Sequence, residues 1–235
     1  MRKLLIFHPY LAPYRIDLYN NLAKVFNLKV ALFGGRKEMN TLGYDLDYIN
    51  SLAKFDYKYY ERGFRIGRHL ISTVYLKLIN GFRPDIVLAH ELGINTLFAI
   101  IFKRLFHYKI YVTIDDSPAM AKSYKPQREK LRSFIVKHVD GMIVVNPDVK
   151  RYLEEKYKKY NCRYLYFPII QDDEVLLGKI NDSKTEAEAY VERYGLQHKK
   201  VILYVGRLEA IKCPDVLVDA FERSDNADSV LVIVQ

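Results

Sequence analysis

The chain has 235 residues, half of them hydrophobic, and 37 Lys and Arg against 28 Asp and Glu give a net charge of +9. This length allows one large domain or two small ones, with ample apolar material for a core. No window of about twenty residues is free of charge, which excludes a transmembrane helix, and the two isolated cysteines exclude a disulfide framework and fit a reducing cytoplasm.

The start of the chain, MRKLLIFHPY, has too short an apolar stretch and no small-residue cleavage site for a signal peptide, so we expect a mature N-terminus. The excess of positive charge predicts anionic partners. Basic residues interleave with Tyr over 122–132 and 150–164. Two interpretations stand: solvated helix faces whose rings lie on the core, or a patch that faces an anionic membrane. No RNA-binding signature accompanies them, so we expect no nucleic-acid partner.

Short apolar runs and amphipathic stretches alternate along the chain. The runs, in chain order, are 3–7, 28–33, 85–89, 109–114, 141–145, 163–167, 201–205 and 230–234. The amphipathic stretches are 16–26, 70–82, 95–106, 127–139 and 147–157. Most runs show no alternation, as is typical of strands buried on both faces of a parallel sheet. The pattern therefore predicts an α/β fold with a doubly wound parallel sheet.

The composition changes near residue 171. Residues 171–185 are polar and acidic without a clear period, which indicates a linker, and a helix follows that ends at Gly195. We therefore predict a Rossmann-like domain over 1–170, a linker and connecting helix over 171–195, and one βαβ unit over 196–235. A lone βαβ unit cannot cover both faces of its sheet, so we expect this second Rossmann-like domain to be incomplete.

Polar side chains follow several of the predicted strands. They are His8, Tyr14 and Arg15, then His90 and Glu91, then Asp115 and Asp116. Because ligands of doubly wound sheets bind outside the carboxyl ends of the strands, these groups are candidates for ligand binding or proton transfer. Each also has a structural reading as a loop or helix cap. Asn146, after the fifth strand, fits a helix N-cap better than a site.

A second candidate site follows the run 201–205. Gly206 ends the strand, Arg207 projects next, and Lys212 precedes a helix that begins near Pro214. An Arg, a Lys and a helix N-terminus that face one crevice suit a diphosphate. The alternative is two surface cations that flank the start of a helix.

The segment VGRLEAIK (205–212) resembles the F-V-G-R-L-x-x-x-K-G segment of family 4 glycosyltransferases, which have the GT-B fold. The segments HPYLAPYRIDLYNNLAK, VTIDDSP and VNPDVKRYLEEKY resemble the same family less specifically, and together the likeness extends over essentially the whole chain. It implies a retaining glycosyltransferase that moves a sugar from a nucleotide-diphosphate sugar, such as a UDP- or GDP-sugar, to a glycan or lipid-linked acceptor in cell-surface polysaccharide synthesis.

The resemblance also implies residue roles and surroundings. Arg207 and Lys212 would hold the donor diphosphate, and Asp115 and Asp116 would line the reaction centre. From the residues that follow the predicted strands, we add Gly206 to the donor site, His90 to the reaction centre, and His8, Tyr14, Arg15 and Glu91 to the acceptor site. No metal and no other cofactor are expected. We expect a cytoplasmic protein at the inner face of an anionic membrane.

Several positions depart from the family pattern. Asp115 stands where many members have His, and Cys213 stands where Gly is usual. No Glu is followed by another Glu eight positions later, so the E-x7-E motif is missing, and we expect a truncated donor domain that is inactive alone. Asp45-Leu46-Asp47 matches a metal-binding triplet of another glycosyltransferase class, as short triplets do by chance. The alternatives are a non-catalytic acceptor-binding or membrane-docking module, as a remnant or half of a split transferase, and a sugar-nucleotide epimerase.

Overall fold

The computed structural model describes residues 1–34, 44–66, 69–224 and 227–234. The chain forms two compact units, residues 1–172 and residues 173–235. The fold is α/β and Rossmann-like, as the alternation of apolar runs and amphipathic stretches predicts. None of the described helices combines the length and the apolar composition that crossing a membrane requires.

The first unit is built on a seven-stranded parallel sheet. The sheet contains β1 (Lys3–His8), β2 (Asn27–Leu32), β3 (Asp56–Tyr59), β6 (Ile86–His90), β7 (Lys109–Ile114), β8 (Gly141–Val144) and β9 (Arg163–Tyr166). Two further strands, β4 (Phe64–Ile66) and β5 (His69–Ile71), form a separate antiparallel hairpin. The order in the sheet is β3-β2-β1-β6-β7-β8-β9. The direction of strand addition therefore reverses between β1 and β6, the place where doubly wound sheets bind ligands.

Helices join these strands. They are α1 (Ile16–Val25), α2 (Leu46–Leu52), α3 (Val74–Phe82), α4 (Ile94–Phe106), α5 (Pro118–Lys122), α6 (Pro126–His138) and α7 (Pro147–Lys156), with a 3-10 turn at Pro13–Arg15 before α1. Local sequence explains several starts: Asp45, Ser117 and Asn146 cap α2, α5 and α7 through their side chains. The cap at Asp45 uses the triplet Asp45-Leu46-Asp47 as a helix start, since Asp45 accepts from the backbone N–H of Asp47 at 2.9 Å.

Alternate residues of β1 enter two separate cores. Leu4 and Ile6 pack with α1 and α2 on one face of the sheet. Leu5 and Phe7 pack with α3, α4, α6 and α7 on the other face. Because both faces of the central strands are covered, their sequences are apolar at nearly every position.

The second unit comprises α8 (Asp173–Asp182), α9 (Lys184–Arg193), β10 (Lys200–Val205), a 3-10 turn at Ala210–Lys212, α10 (Pro214–Glu222) and β11 (Ser229–Val234). The strands β10 and β11 pair in parallel. No side chain of residues 173–224 and 227–234 for which burial is described is buried.

All eight predicted strands are present, with their bounds shifted by a residue at most. Two predictions were wrong. Residues 173–182, predicted as part of a linker, form a helix, because Leu, Glu and Lys favour helices even where no amphipathic pattern is evident. The helix predicted to begin at residue 70 begins at Val74, since Leu70 and Ile71 belong to the hairpin strand β5.

Candidate functional site

Two histidines meet where the strand order reverses. His8 is the last residue of β1 and His90 is the last residue of β6, and these strands are direct neighbours. The ring centroids are 4.0 Å apart, with the planes tilted by 32°. The sheet topology thus brings together two residues that are far apart in sequence, at the edge where the sequence predicts a site.

Hydrogen bonds orient both imidazole rings. The Nδ1 of His8 lies 2.5 Å from the carbonyl oxygen of Tyr10, which fits an Nδ1–H donor and leaves Nε2 as an acceptor. This Nε2 atom is buried and has no hydrogen-bond partner among the described residues. The Nδ1 of His90 lies 3.0 Å from the hydroxyl oxygen of Thr113, on the adjacent strand β7. His8 therefore keeps a buried acceptor atom that no described residue uses.

Burial and positive neighbours keep both rings neutral. Burial, and then the neighbouring His90 and Arg15, hold the pKa of His8 well below its usual range. Burial and Arg15 lower the pKa of His90 to about 3. At neutral pH the pair is therefore uncharged, and both rings are almost completely buried.

An ion pair lies beside the histidines. The Nη2 of Arg15, in the 3-10 turn after β1, is 2.5 Å from Oδ2 of Asp115, directly after β7. The Arg15 side chain is buried, whereas the Asp115 side chain keeps 28% of its surface exposed. Burial raises the pKa of Asp115, Asp116 adds to this, and Arg15 opposes it. The pair joins the segment after β1 to the segment after β7, the strands on either side of β6 in the sheet.

Three polar atoms at this edge are buried without a hydrogen-bond partner in the part of the chain that the structure describes. They are Nε2 of His8, Nε of Arg15 and Oδ1 of Asp115. Native proteins seldom leave such atoms unpaired. Two acceptors and one donor in one cluster suit a ligand with several hydroxyl groups.

The remaining predicted residues of this edge have different surroundings. Tyr14 lies beside Arg15, whose guanidinium is 5.6 Å from the ring centroid. Asp116 is buried, and both of its carboxylate oxygens lie 2.8 Å from the hydroxyl of Tyr124. Glu91 is exposed, with Oε1 at 3.6 Å from Nε2 of His90. The structure thus clusters His8, His90, Arg15 and Asp115, with Tyr14 and Glu91 at the margin and Asp116 turned toward Tyr124.

Two contributing residues escape sequence reasoning. Thr113 orients His90, and it is the one aliphatic hydroxyl in the apolar run 109–114, a signal that was present in the sequence. Tyr124 holds Asp116 from the segment between α5 and α6, and its ring lies 3.9 Å from the guanidinium of the buried Arg132. Nothing in the local sequence pairs Tyr124 with Asp116.

An apolar cavity of about 260 Å³ adjoins the ion pair. Arg15, Asp115, Tyr14 and Thr113 line it together with apolar side chains. The latter include Leu18 and Leu22 of α1 and Ile86, Leu88, Ile143 and Leu165 of the sheet. The polar cluster therefore borders on an apolar surface of the first unit.

The second predicted site lies in the second unit. Arg207 is about half exposed and pairs with Glu209, with Nη1 2.8 Å from Oε1. Lys212 ends the 3-10 turn, and Pro214 is the first residue of α10, as predicted. Gly206 follows β10 without a left-handed backbone, and a Cβ there would lie 3.3 Å from the Tyr204 hydroxyl. The left-handed residue of this loop is instead Cys213, with φ 49°.

Among the described residues, no three His, Cys, Asp or Glu side chains gather as ligands of a metal ion.

The sequence matches no protein-family model and no curated protein. Solved structures are similar in fold. Alr3699/HepE of Anabaena in complex with UDP has a TM-score of 0.65 at 14% identity, over 99% of this chain and 61% of that chain. The same protein with UDP and glucose has a TM-score of 0.63 at 12% identity, over 99% and 60%.

A third similar structure is the UDP-GlcNAc 2-epimerase of Neisseria meningitidis bound to UDP-GlcNAc, with a TM-score of 0.60 at 14% identity, over 99% of this chain and 65% of that chain. The chain therefore spans about three-fifths of the length of these structures. The likeness shows a GT-B-like fold for this chain.

Proposed function

We propose that this chain belongs to a retaining glycosyltransferase of the family 4 type, which uses a nucleotide-diphosphate sugar and acts on a glycan or lipid-linked acceptor in cell-surface polysaccharide synthesis. The first unit would bind the acceptor, and the second unit would contribute to the donor site. The observation that carries the proposal is the cluster of His8, His90, Arg15 and Asp115 at the reversal of a GT-B-like sheet.

The cluster has the chemistry of a carbohydrate site. Sugars present hydroxyl groups, which both donate and accept hydrogen bonds, and the unpaired atoms of the cluster comprise acceptors and a donor. The His8 and His90 rings lie beside these atoms without charge, and the cavity that Arg15 and Asp115 line adds apolar surface. Asp115, held by Arg15, would accept a hydrogen bond from the acceptor hydroxyl and orient it. Asp116 would act through the loop that Tyr124 holds.

On the donor side, the proposed role is to stabilise a leaving diphosphate. Arg207 and Lys212 would supply positive charge, and the backbone N–H groups at the start of α10 would add to it. Arg207 is held by Glu209 in the absence of a ligand, and a diphosphate would compete with that carboxylate. The leaving phosphate would itself take the proton of the acceptor hydroxyl, and Arg207 and Lys212 would supply the positive charge, so we expect no metal.

A second candidate is a sugar-nucleotide epimerase. It is favoured by the similarity to the UDP-GlcNAc 2-epimerase structure, which is nearly as great as that to Alr3699/HepE. An epimerase converts one nucleotide sugar into another without an acceptor. The segment VGRLEAIK, with its Arg and Lys, fits the transferase resemblance better.

Substrate turnover separates these functions. The whole glycosyltransferase to which we assign this chain is incubated with a panel of radiolabelled UDP- and GDP-sugars. The incubation is run with and without membranes of the source cell, which supply the acceptor. A transferase releases UDP or GDP and labels the membrane fraction, and the new linkage keeps the anomeric configuration of the donor. A second nucleotide sugar formed without membranes would indicate the epimerase instead.

Binding by the 235-residue chain itself is measured in parallel, by saturation-transfer NMR with the same panel. We expect weak binding of at least one nucleotide sugar, reduced about tenfold by Arg207→Gln with Lys212→Gln, since each lost charge-assisted contact costs a factor of several. If no nucleotide sugar binds while lipid-linked saccharide does, the chain is an acceptor-binding module and the catalytic proposal fails.

The histidine cluster is tested with His90→Phe, which keeps a ring of similar size and removes the hydrogen bonds. We expect saccharide binding to fall by at least tenfold with little change in melting temperature. His138→Phe is the matched control, since His138 lies on α6 outside the cluster. Equal binding by the two variants would remove the cluster from the proposed site.

A further inference from the structure

Exposed apolar side chains stand on two neighbouring helices of the first unit. Ile101 and Leu105 of α4 are 63% and 65% exposed, and they lie one turn apart on the same helix face. Phe134 of α6 is 45% exposed. Ile101 and Phe134 line one groove between the two helices. We name Ile101, Leu105 and Phe134 the α4/α6 patch.

The surroundings of the α4/α6 patch are basic. Arg104, Lys137, His107, His138 and Lys103 line the same groove. Of the ion pairs in the described chain, only that of Lys103 with Asp140, at 2.6 Å, involves one of these side chains. Arg104 and Lys137 are exposed, and no described carboxylate pairs with either. Unneutralised cations therefore flank a group of exposed apolar side chains.

We infer that the α4/α6 patch docks the protein on an anionic lipid bilayer. Aliphatic and Phe side chains suit the boundary between headgroups and acyl chains, and flanking Lys and Arg suit anionic headgroups. Nucleic acid is the poorer match, because unpaired bases stack on aromatic rings, whereas Ile101 and Leu105 are aliphatic. The inference does not rest on the proposed reaction, since lipid binding is measured without a sugar donor.

The structure argues for this patch over the Tyr-rich basic segments 122–132 and 150–164. Their rings pack inward: Tyr157 is buried, and Tyr124, Tyr152, Tyr160 and Tyr164 lie against the core. Several of their cations also have acidic partners, as Lys156 has in Glu129 and Lys158 in Glu155. These segments are solvated helix faces with rings on the core.

Co-sedimentation with lipid vesicles tests the inference. The 235-residue chain is mixed with phosphatidylcholine vesicles with and without about 30% phosphatidylglycerol, at ~0.1 M and ~1 M salt. We expect binding to the anionic vesicles at low salt and a decrease of at least tenfold at high salt. Absence of binding to anionic vesicles at low salt would overturn the inference.

Charge reversal locates the surface. Arg104→Glu with Lys137→Glu should lower the vesicle-bound to free ratio by at least tenfold, because each cation near an anionic surface contributes about fivefold. The matched control is Lys24→Glu with Lys54→Glu. It changes the net charge equally, and both of its residues are exposed on the side of the sheet that α1 and α2 cover. Equal losses in the two double variants would indicate a net-charge effect and overturn the assignment to the α4/α6 patch.

Leu105→Ser tests the apolar part of the α4/α6 patch. The Leu105 side chain is too exposed to contribute much to the stability of the fold. We expect a severalfold loss of vesicle binding at low salt, with an unchanged melting curve. The alternative binding partner of the α4/α6 patch is a second copy of the chain. If Leu105→Ser leaves vesicle binding intact but converts a dimer to a monomer in sedimentation velocity, the patch joins two copies of the chain and the lipid proposal is wrong.

Discussion

Both units contain apolar strands, but the side chains of the central strands are buried in the first unit, whereas those of the second unit are partly or largely exposed. Leu5, in the middle of β1, is completely buried, whereas Leu203, in the middle of β10, is 60% exposed. Both strands lie in parallel sheets and both come from runs of Val, Ile, Leu, Phe or Tyr. An apolar run therefore predicts a strand, but burial depends on the elements that cover each face of its sheet.

The same contrast holds for the candidate sites. The Arg15 side chain is 6% exposed and pairs with Asp115, whereas Arg207 is 48% exposed and pairs with Glu209. Water and salt screen an exposed pair, which contributes at most about 1 kcal/mol. In the first unit, burial together with Arg15 lowers the pKa of His90, whereas the pair of Arg207 with Glu209 lies in contact with solvent.

The largest expected difference between the units concerns packing. We expect Leu5→Ala to lower the free energy of unfolding by about 3 kcal/mol, because it leaves a cavity among fully buried neighbours. Leu203→Ala, the same substitution on an exposed strand position, should change it by about 0.5 kcal/mol or less. Urea titration followed by far-ultraviolet circular dichroism measures both. Equal costs would mean that the two units do not differ in burial in solution.

The next effect is the pH dependence of the first unit. His8 and His90 have lowered pKa values in the folded protein, whereas in the unfolded chain a histidine takes up a proton near pH 6.5. Below about pH 6.5 the unfolded state therefore binds more protons than the folded state. The free energy of unfolding decreases as the pH falls from neutral toward the pKa of the folded histidines. Two such groups remove about 2.5 kcal/mol between about pH 7 and about pH 5.5.

Urea titrations across this pH range check the effect. The raised pKa of Asp115 changes stability in the opposite direction, because the folded state holds the extra proton where this carboxyl group titrates. The control is His90→Gln, which should lose about half of the slope. An unchanged slope in His90→Gln would show that His90 is not held neutral by its surroundings.

Much of the first unit follows from its sequence, because apolar runs without alternation specify buried parallel strands. That logic also placed His8, His90 and Asp115 at one edge of the sheet. It failed for β3, a short edge strand (DYKY) in which charged and aromatic residues alternate. It also failed for α8, whose apolar residues Val175, Leu176, Leu177 and Ile180 are all exposed, so that the helix has no buried face.

The contacts between side chains within the site could not be predicted from the sequence, because they depend on which strands are neighbours. Arg15 and Asp115 are a hundred residues apart, and their contact arises only when β1, β6 and β7 are neighbours. Asp115 and Asp116 are adjacent and chemically identical, yet one pairs with Arg15 and the other with Tyr124. Adjacent residues of an extended segment point in opposite directions, and which direction meets which partner depends on the fold.

The smallest expected effect tests the backbone of the second unit at Cys213, which caps α10 with φ 49° and ψ 49°. This left-handed conformation costs a residue with a Cβ about 1 kcal/mol or more, whereas Gly adopts it freely. Glycine also gains freedom in the unfolded chain, so Cys213→Gly should stabilise the start of α10 by about 0.5 kcal/mol.

Amide hydrogen exchange over Pro214–Glu222 measures this locally, as protection raised about twofold. Cys213→Ala is the matched control, because it also removes the thiol but keeps a Cβ, and it should give no gain. If Gly and Ala behave alike, the thiol and not the backbone sets the stability of this cap. A gain confined to Gly would mean that the backbone of Cys213 is strained next to Lys212 at the start of α10.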